Sequence, residues 1–483
     1  MSDNGADSGL QNYQSYRGLP PLAGLCSVER AARPGLSIEE CVRRLKRYHY
    51  AFKRLFEIFV ARITAEPVYE LKTAFSHHGY LCSEHVTALR ERVAEMREPP
   101  LGLEAVPDTH LEMLFDEILA APGTEELLVG LYEVAIPALL AGVERHMSDT
   151  NPLADAPSVR LCRFALLELG DMASFGANAM ASLVSEQRRS EMAGWVTLLH
   201  DCLAAAGGLD GTRPAVVKPL TRQHSAKPYQ YDPVPKRDER FGDPYNMGVN
   251  AEAFLYDKGK PPLPKTLMLY YKRLREVDVP EMMASIIHQT PGKPWKYYRD
   301  MTRQLWDEAR HAMMGEVGFA RLGVDWPKFV PINFTWSLGL NTQLEPWERH
   351  AVLFFIEQGL MPKTGKRFEW EVATASADPL AATFQDYDWA DEVLHAKIGR
   401  DWYVSQFENQ KEATKYGDEC WSKVLMSWGE WKRRGLTQHR NWWPEVYREA
   451  CNRWGVEPDP QVLAFNETYE KVRADLKDVS VSG

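Results

Sequence analysis

Residues 306–316 read WDEARHAMMGE and residues 390–400 read ADEVLHAKIGR, and the fold follows from what these two stretches share. Each holds Asp-Glu-x-x-His: Asp307, Glu308 and His311 in the first, Asp391, Glu392 and His395 in the second. On an α-helix residues three apart share a face, so each stretch presents one carboxylate beside one imidazole. The Asp ahead of each Glu lies four residues from the His of its own motif, on that same face. It is expected to accept the distal imidazole N–H and leave the other ring nitrogen free for a metal. Two such helices facing each other supply half of a dimetal site. Helix bundles complete it with one Glu from each of two further helices, because two divalent cations need several anionic oxygens to bridge and neutralise them.

Glu281 fits the first of these positions, ten residues before Pro291, while Glu308 follows Pro294 by 14. In a helical hairpin turning at Pro291–Pro294 the two carboxylates reach similar heights. Glu357, in LFFIEQG, stands in a comparable relation to Glu392, with Glu345, Glu369 and Glu371 as competitors.

Apolar residues at three- and four-residue spacings extend this helical pattern outward. The expected divisions are an N-terminal arm over 1–39, a helical block over 40–207, a Pro-rich connector over 208–265, a metal-binding bundle over 266–410 and a Trp-rich helical extension over 411–483. Fourteen of the 15 tryptophans follow residue 290, where a shaped pocket is easiest to build. Tyr387, Trp389 and Trp402 are candidates to wall it.

The first block repeats the second. Adding 224 to Glu57, Glu84, Glu133 and Glu168 gives Glu281, Glu308, Glu357 and Glu392, and the same offset carries Pro67 onto Pro291. A single offset matching all four glutamates arises by chance on the order of 1% of the time. Thr87 and Asp171 stand where the second block has its histidines. The first copy is therefore expected to have lost its dimetal centre, with its glutamates paired to Arg or His or reaching solvent.

The order Glu, Glu-x-x-His, Glu, Glu-x-x-His resembles the ferritin-like diiron-carboxylate superfamily, and WDEARH is similar to the DExRH signature of its oxygenase and desaturase branches. The likeness covers about 266–405 well and 40–205 weakly. It implies an all-α fold of two ferritin-like four-helix-bundle units in tandem, with a C-terminal helical extension. It also implies two irons, or a Mn/Fe pair, held by Glu281, Glu308, His311, Glu357, Glu392 and His395, with O2 as co-substrate. The activity expected is that of an O2-dependent oxidase or oxygenase acting on a small organic molecule, with an external electron donor and self-association both compatible with it. An iron-handling ferroxidase, a peroxide-scavenging protein and a metal-stabilised scaffold are the alternatives.

Composition sets bounds on these readings. A net charge of −10 disfavours general nucleic-acid binding. Residues 134–143, the longest largely apolar stretch, are short for a membrane span and carry Pro137. Seven cysteines without a CxxC pair argue against a disulfide framework, and the first residues lack the features of a secretory signal, so a cytoplasmic location is expected. No GxGxxG, GxxxxGK[ST] or GxSxG occurs, which removes the usual dinucleotide, P-loop and hydrolase readings.

Overall fold

The computed structural model describes residues 10, 13–96, 101–362 and 365–469. Parts of the expected N-terminal arm and of the C-terminal extension lie outside the described residues. Among those described the protein is helical throughout, with no strand and one isolated bridge between Val249 and Thr468. Helices longer than eight residues are α1 (Ile38–Arg62), α2 (Tyr69–Glu95), α3 (Thr109–Leu119), α4 (Thr124–Asp149), α5 (Ala156–Leu183) and α6 (Glu186–Ala205). They continue with α7 (Pro262–Arg275), α8 (Asp278–Gln289), α9 (Trp295–Arg321), α10 (Thr335–Gln343), α11 (Pro346–Gly359), α12 (Lys366–Ala375), α13 (Pro379–Trp402), α14 (Gln410–Lys423) and α15 (Trp443–Trp454).

Two compact units divide the chain. One comprises 1–58 and 81–230, the other 59–80 and 231–483, so the boundary on the sequence falls inside α1, inside α2 and within the Pro-rich connector. In the first unit α4 contains a π-helical segment over Val129–Ala135, a turn that absorbs extra residues and is frequent at functional positions. By length and composition α4 passes for a membrane span, unlike the shorter 134–143 stretch read above, and 72% of its most apolar window is buried inside the protein.

In the second unit α9 and α13 run through the core against each other, with α7 and α8 on α9 and α11 and α12 on α13. Local chemistry starts these helices. Asp378 caps α13 by accepting from the N–H groups of Leu380 and Ala381, followed by Pro379 in its first turn. Glu345 and Glu348 form a capping box on α11. Small residues set the spacing between helices: a Cβ at Gly315 would overlap the backbone of Tyr270 and Leu274, and one at Gly318 would overlap the Tyr270 ring. These two glycines let α9 approach α7 at backbone distance, which brings the C-terminal end of α7 to the level of His311.

That end is a break in the helix. Residues 262–289 would form one long helix, but Pro280 lacks an N–H and its ring collides with the carbonyl four residues back, that of Glu276. The chain turns at Glu276 and Val277 before α8 resumes. Glu276 therefore projects from an interruption rather than from a regular helix face.

Candidate metal centre

Two groups of four side chains could each hold an ion: Glu276, Glu308, His311 and Glu392, and Glu308, Glu357, Glu392 and His395. Within each group one ligand atom per residue lies within 4.8 Å of the others. Glu308 and Glu392 belong to both groups, so the arrangement is a pair of sites with two shared carboxylates, each site having one histidine and one further Glu of its own. Glu308 faces both imidazoles, with Oε2 at 3.6 Å from His311 Nδ1 and Oε1 at 3.1 Å from His395 Nδ1. Apart from Glu276, a half-buried residue, the members are buried, none above 4% exposed.

Of the six residues the sequence nominates, the structure brings five together and leaves Glu281 out. Glu281 is fully buried five residues further along, where it accepts from Lys72 Nζ at 2.7 Å, from Arg237, and from the Ser337 hydroxyl at 2.8 Å. Its place is taken by Glu276. The expectation for Glu281 rests on its distance to Pro291 and on the match to Glu57, neither of which registers the break in the helix ahead of Pro280. Pro280 is itself the signal in the sequence that points to Glu276, since it places the break there. Of the competitors for the third carboxylate, Glu369 is held by Lys272, and Glu345 caps α11. Glu371 pairs with Arg367 on the surface.

The aspartates also differ from expectation. Asp307 does not serve His311, nor Asp391 His395. His311 Nε2 lies 3.1 Å from Asp391 Oδ2 and His395 Nε2 lies 3.4 Å from Asp307 Oδ2, so each aspartate supports the imidazole of the other helix. Arg310 joins the two aspartates, 2.5 Å from Asp307 and 2.7 Å from Asp391, and Arg303 adds a contact of 2.9 Å to Asp307. Asp307 is held down at about 2: burial opposes its charge, and His395, Arg310 and Arg303 outweigh burial. With Nε2 committed to an aspartate, both histidines turn Nδ1 inward toward the glutamates.

Residues outside the sequence reading complete the charge pattern. Asp388 lies one turn before Glu392 on α13, 3.4 Å from His311 Nδ1, and is gripped by Arg273 and by Lys366 at 2.9 Å. Lys366, 1% exposed, also reaches Glu392 at 2.8 Å. Gln304, one turn before Glu308 on α9, donates to Glu357 at 3.0 Å. Lys366 carries no motif in the sequence, because its role depends on where α12 begins.

A cation pair fits this donor set. Nδ1 of His311 and of His395, and one carboxylate oxygen each of Glu276, Glu357 and Glu392, are sealed from solvent without a hydrogen-bond partner, and all five point into the cluster. Unpaired buried polar atoms are costly, about 1–3 kcal/mol each, so five in one place call for an electrophile. Arg273 and Lys366 are shared between Asp388 and the glutamates Glu276 and Glu392, so two cations face five carboxylates. Protons make up the deficit. His311 is raised to about 10: burial opposes protonation, but the closeness of the Asp391, Glu276 and Glu308 carboxylates prevails. Glu357 is pushed well above the carboxylate range by burial and then by Glu392. Two divalent ions would replace those protons and match the four carboxylates in charge.

The first unit holds its glutamates differently. Glu57 pairs with Arg54 at 3.1 Å, Glu133 with Arg189 at 2.7 Å and Glu168 with His85 at 2.6 Å. Among the described residues its one grouping able to take a cation is Cys41, His146 and Asp155. Cys41 sits 3.3 Å from Asp155, and burial, then Asp155, pushes its thiol up to about 12, unfavourable for a metal-binding thiolate.

Of the aromatic residues expected to wall a pocket, Tyr387 is 63% exposed and Trp402 hydrogen-bonds Asp300 at 2.9 Å, while Trp389 packs beside Trp370. The cavity next to the cluster has other walls. About 290 Å³ in volume, it is bounded by Glu276, Arg273 and Lys366 on the cluster side and by apolar residues that include Met282, Leu340, Ile356 and Trp336. No protein-family profile, curated protein or solved structure matches the chain.

Proposed function

We propose that the protein is a dimetal oxidoreductase of the carboxylate-bridged type, in which Glu276, Glu308, His311, Glu357, Glu392 and His395 hold two transition-metal ions, iron or a manganese–iron pair. The observation that carries this reading is the pair of ligand groups sharing Glu308 and Glu392. Nitrogen and carboxylate donors of this kind suit first-row divalent metals. Bound there, such a pair supplies the two electrons that begin the reduction of O2 and so drive oxidation of an organic molecule.

The chain's own residues have separate tasks. Asp307 and Asp391 hold the imidazoles in the tautomer that turns Nδ1 to the metals. Glu308 and Glu392 span the two positions, and Gln304 orients Glu357. Lys366 Nζ, shared by Asp388 and Glu392 and lining the cavity, places a positive charge between the cavity and the carboxylates that would hold the metals. The apolar side of the cavity limits the water that reaches the reacting atoms.

The same reading takes the chain as an internal duplication that has kept one centre. Helix starts recur at nearly one offset: Ile38 and Pro262, Tyr69 and Trp295, Thr109 and Thr335, Thr124 and Pro346, Ala156 and Pro379, and Glu186 and Gln410 are separated by 224, 226, 226, 222, 223 and 224 residues. At that offset Phe52 stands for Glu276, Thr87 for His311 and Asp171 for His395.

Anaerobic loading with Fe(II) tests the function. The expected result is two ions per chain, followed on rapid mixing with O2 by stoichiometric uptake and a transient absorption band. A reduced centre stable in air, inert with and without a broad substrate panel, would overturn the oxidoreductase reading and leave the ions a structural role.

A further inference from the structure

The cavity beside the cluster is lined by one guanidinium that no carboxylate touches directly. Its polar lining includes four cations, Lys272, Arg273, Arg275 and Lys366. Three are paired: Lys272 with Glu252 and Glu369, Arg273 with Glu276 and Asp388, and Lys366 with Asp388 and Glu392. Asp278, an acid of the same wall, is taken by Arg237 at 3.1 Å and by the Ser337 hydroxyl at 3.2 Å. Arg275 differs. Its polar partner is the Tyr469 hydroxyl at 2.9 Å, which in turn donates to Glu252 at 2.6 Å, and its guanidinium lies over the rings of Tyr469 and Tyr271, at 5.1 and 5.6 Å from their centroids. No carboxylate comes within ion-pair distance of it among the described residues, and its Nε is shut off from solvent with no acceptor. The neighbouring Arg273, 1% exposed, likewise has an Nε without an acceptor.

A guanidinium half-removed from water beside an apolar chamber is an anion site with the anion supplied from outside, because aromatic faces and one hydroxyl replace only part of its hydration. The rest of the wall fixes the remainder of the ligand. Val279, Met282, Leu340, Ile356 and Leu360 are aliphatic, and Trp336 stacks on Trp421 at 4.5 Å. They offer dispersion contacts and no further charge. About 290 Å³ corresponds to roughly ten water volumes at ~30 Å³ each, hence a ligand of about ten non-hydrogen atoms.

We infer that this cavity binds a small amphipathic monocarboxylate, its carboxylate on Arg275 and its hydrocarbon body along Met282, Ile356 and Leu360 toward the wall formed by Glu276 and Lys366. This rests on the dimetal reading only in making such a molecule the substrate; the binding site itself stands on the cavity. A cation is disfavoured by the guanidinium and a polyanion by Glu252, Glu276 and Asp278 in the same wall, whereas a neutral hydrocarbon leaves the Arg275 Nε without an acceptor.

The test is calorimetric titration of the full-length, metal-loaded protein with octanoate, 1-octanol and octylamine, with metal content measured on the same samples. Octanoate should bind at least ~10-fold more tightly than octanol, as expected for one charge-assisted contact, and octylamine should not bind. Arg275→Gln should weaken octanoate by about that factor while leaving octanol affinity and two bound metals unchanged, and Arg275→Lys should recover part of the loss. Met282→Trp should weaken octanoate more than butyrate by filling the chamber. Equal binding of octanoate and octanol to the wild-type protein, or octanoate binding indifferent to Arg275→Gln, would overturn the proposal even with both metals in place. Selective octanoate binding by protein that takes up no metal would support the site and refute the dimetal reading instead.

Discussion

His311 on α9 directs its Nε2 at Asp391 on α13, 3.1 Å away, and His395 on α13 directs its Nε2 at Asp307 on α9, 3.4 Å away. The two Asp-Glu-x-x-His motifs are thus cross-braced, each helix fixing the ring of the other. A shift of either helix along its axis would misalign both imidazoles together, so the crossing ties the packing of α9 on α13 to the geometry of the cluster. Asp391→Asn should lower metal affinity by roughly 10–100-fold. In double-mutant cycles on metal affinity Asp391 should couple to His311 and not to His395, and Asp307 to His395 and not to His311. Coupling within each motif instead of between them would refute the crossed arrangement.

Glu276 and Glu281 separate binding from stability. Glu276→Gln should abolish one of the two metals, seen as a halved stoichiometry, with a modest change in melting temperature. Glu281→Gln should retain both metals and destabilise the fold by about 3–5 kcal/mol, since Lys72 would remain buried without its carboxylate and Arg237 would keep only Asp278. Denaturation of each variant beside metal analysis decides between them. The reverse pattern would restore Glu281 as the ligand.

Substitution of Glu133 and Glu168 by Gln in the first unit should leave metal stoichiometry and O2 uptake unaltered, because each is paired with Arg189 or His85. Surface or half-exposed pairs of this kind contribute about 0–1 kcal/mol, so the melting temperature should move little. Loss of a metal ion in either variant would show that the first unit coordinates.

Stability should fall as pH drops below about 6.5. His49, His78 and His350 are buried and held neutral in the folded protein, at about 3, 3 and 4, in each case by burial first and by neighbouring positive charge second. The unfolded chain takes up protons at these histidines as pH falls through ~6.5, whereas the folded chain does not until much lower pH. The unfolded state is therefore favoured progressively between about 6.5 and 4, each histidine contributing a slope of about 1.4 kcal/mol per pH unit. His350→Gln should reduce the slope of unfolding free energy against pH by that amount, measured in metal-free protein so that loss of ions does not add to it.

Glu-x-x-His on α9 and on α13 was legible in the sequence because three-residue spacing is a local property of any helix. The turn at Pro291–Pro294 and the helical character of both blocks were legible for the same reason, each depending on residues within a few positions of one another. What lay beyond the sequence reading depended on contacts between distant segments. Glu276 became the fourth carboxylate because Pro280 breaks a helix that local periodicity carries straight on, and because Gly315 and Gly318 let α7 lie against α9. Asp307 and Asp391 serve the histidines of the opposite helix because α9 packs against α13, bringing each imidazole Nε2 to 3.1–3.4 Å from the aspartate across the contact. Lys366, Asp388 and Arg275 carry no motif at all; their charges acquire meaning from what is buried beside them. Local chemistry determined which residues could bind a metal, and packing decided which of them meet, since burial and pairing are properties of the assembled core.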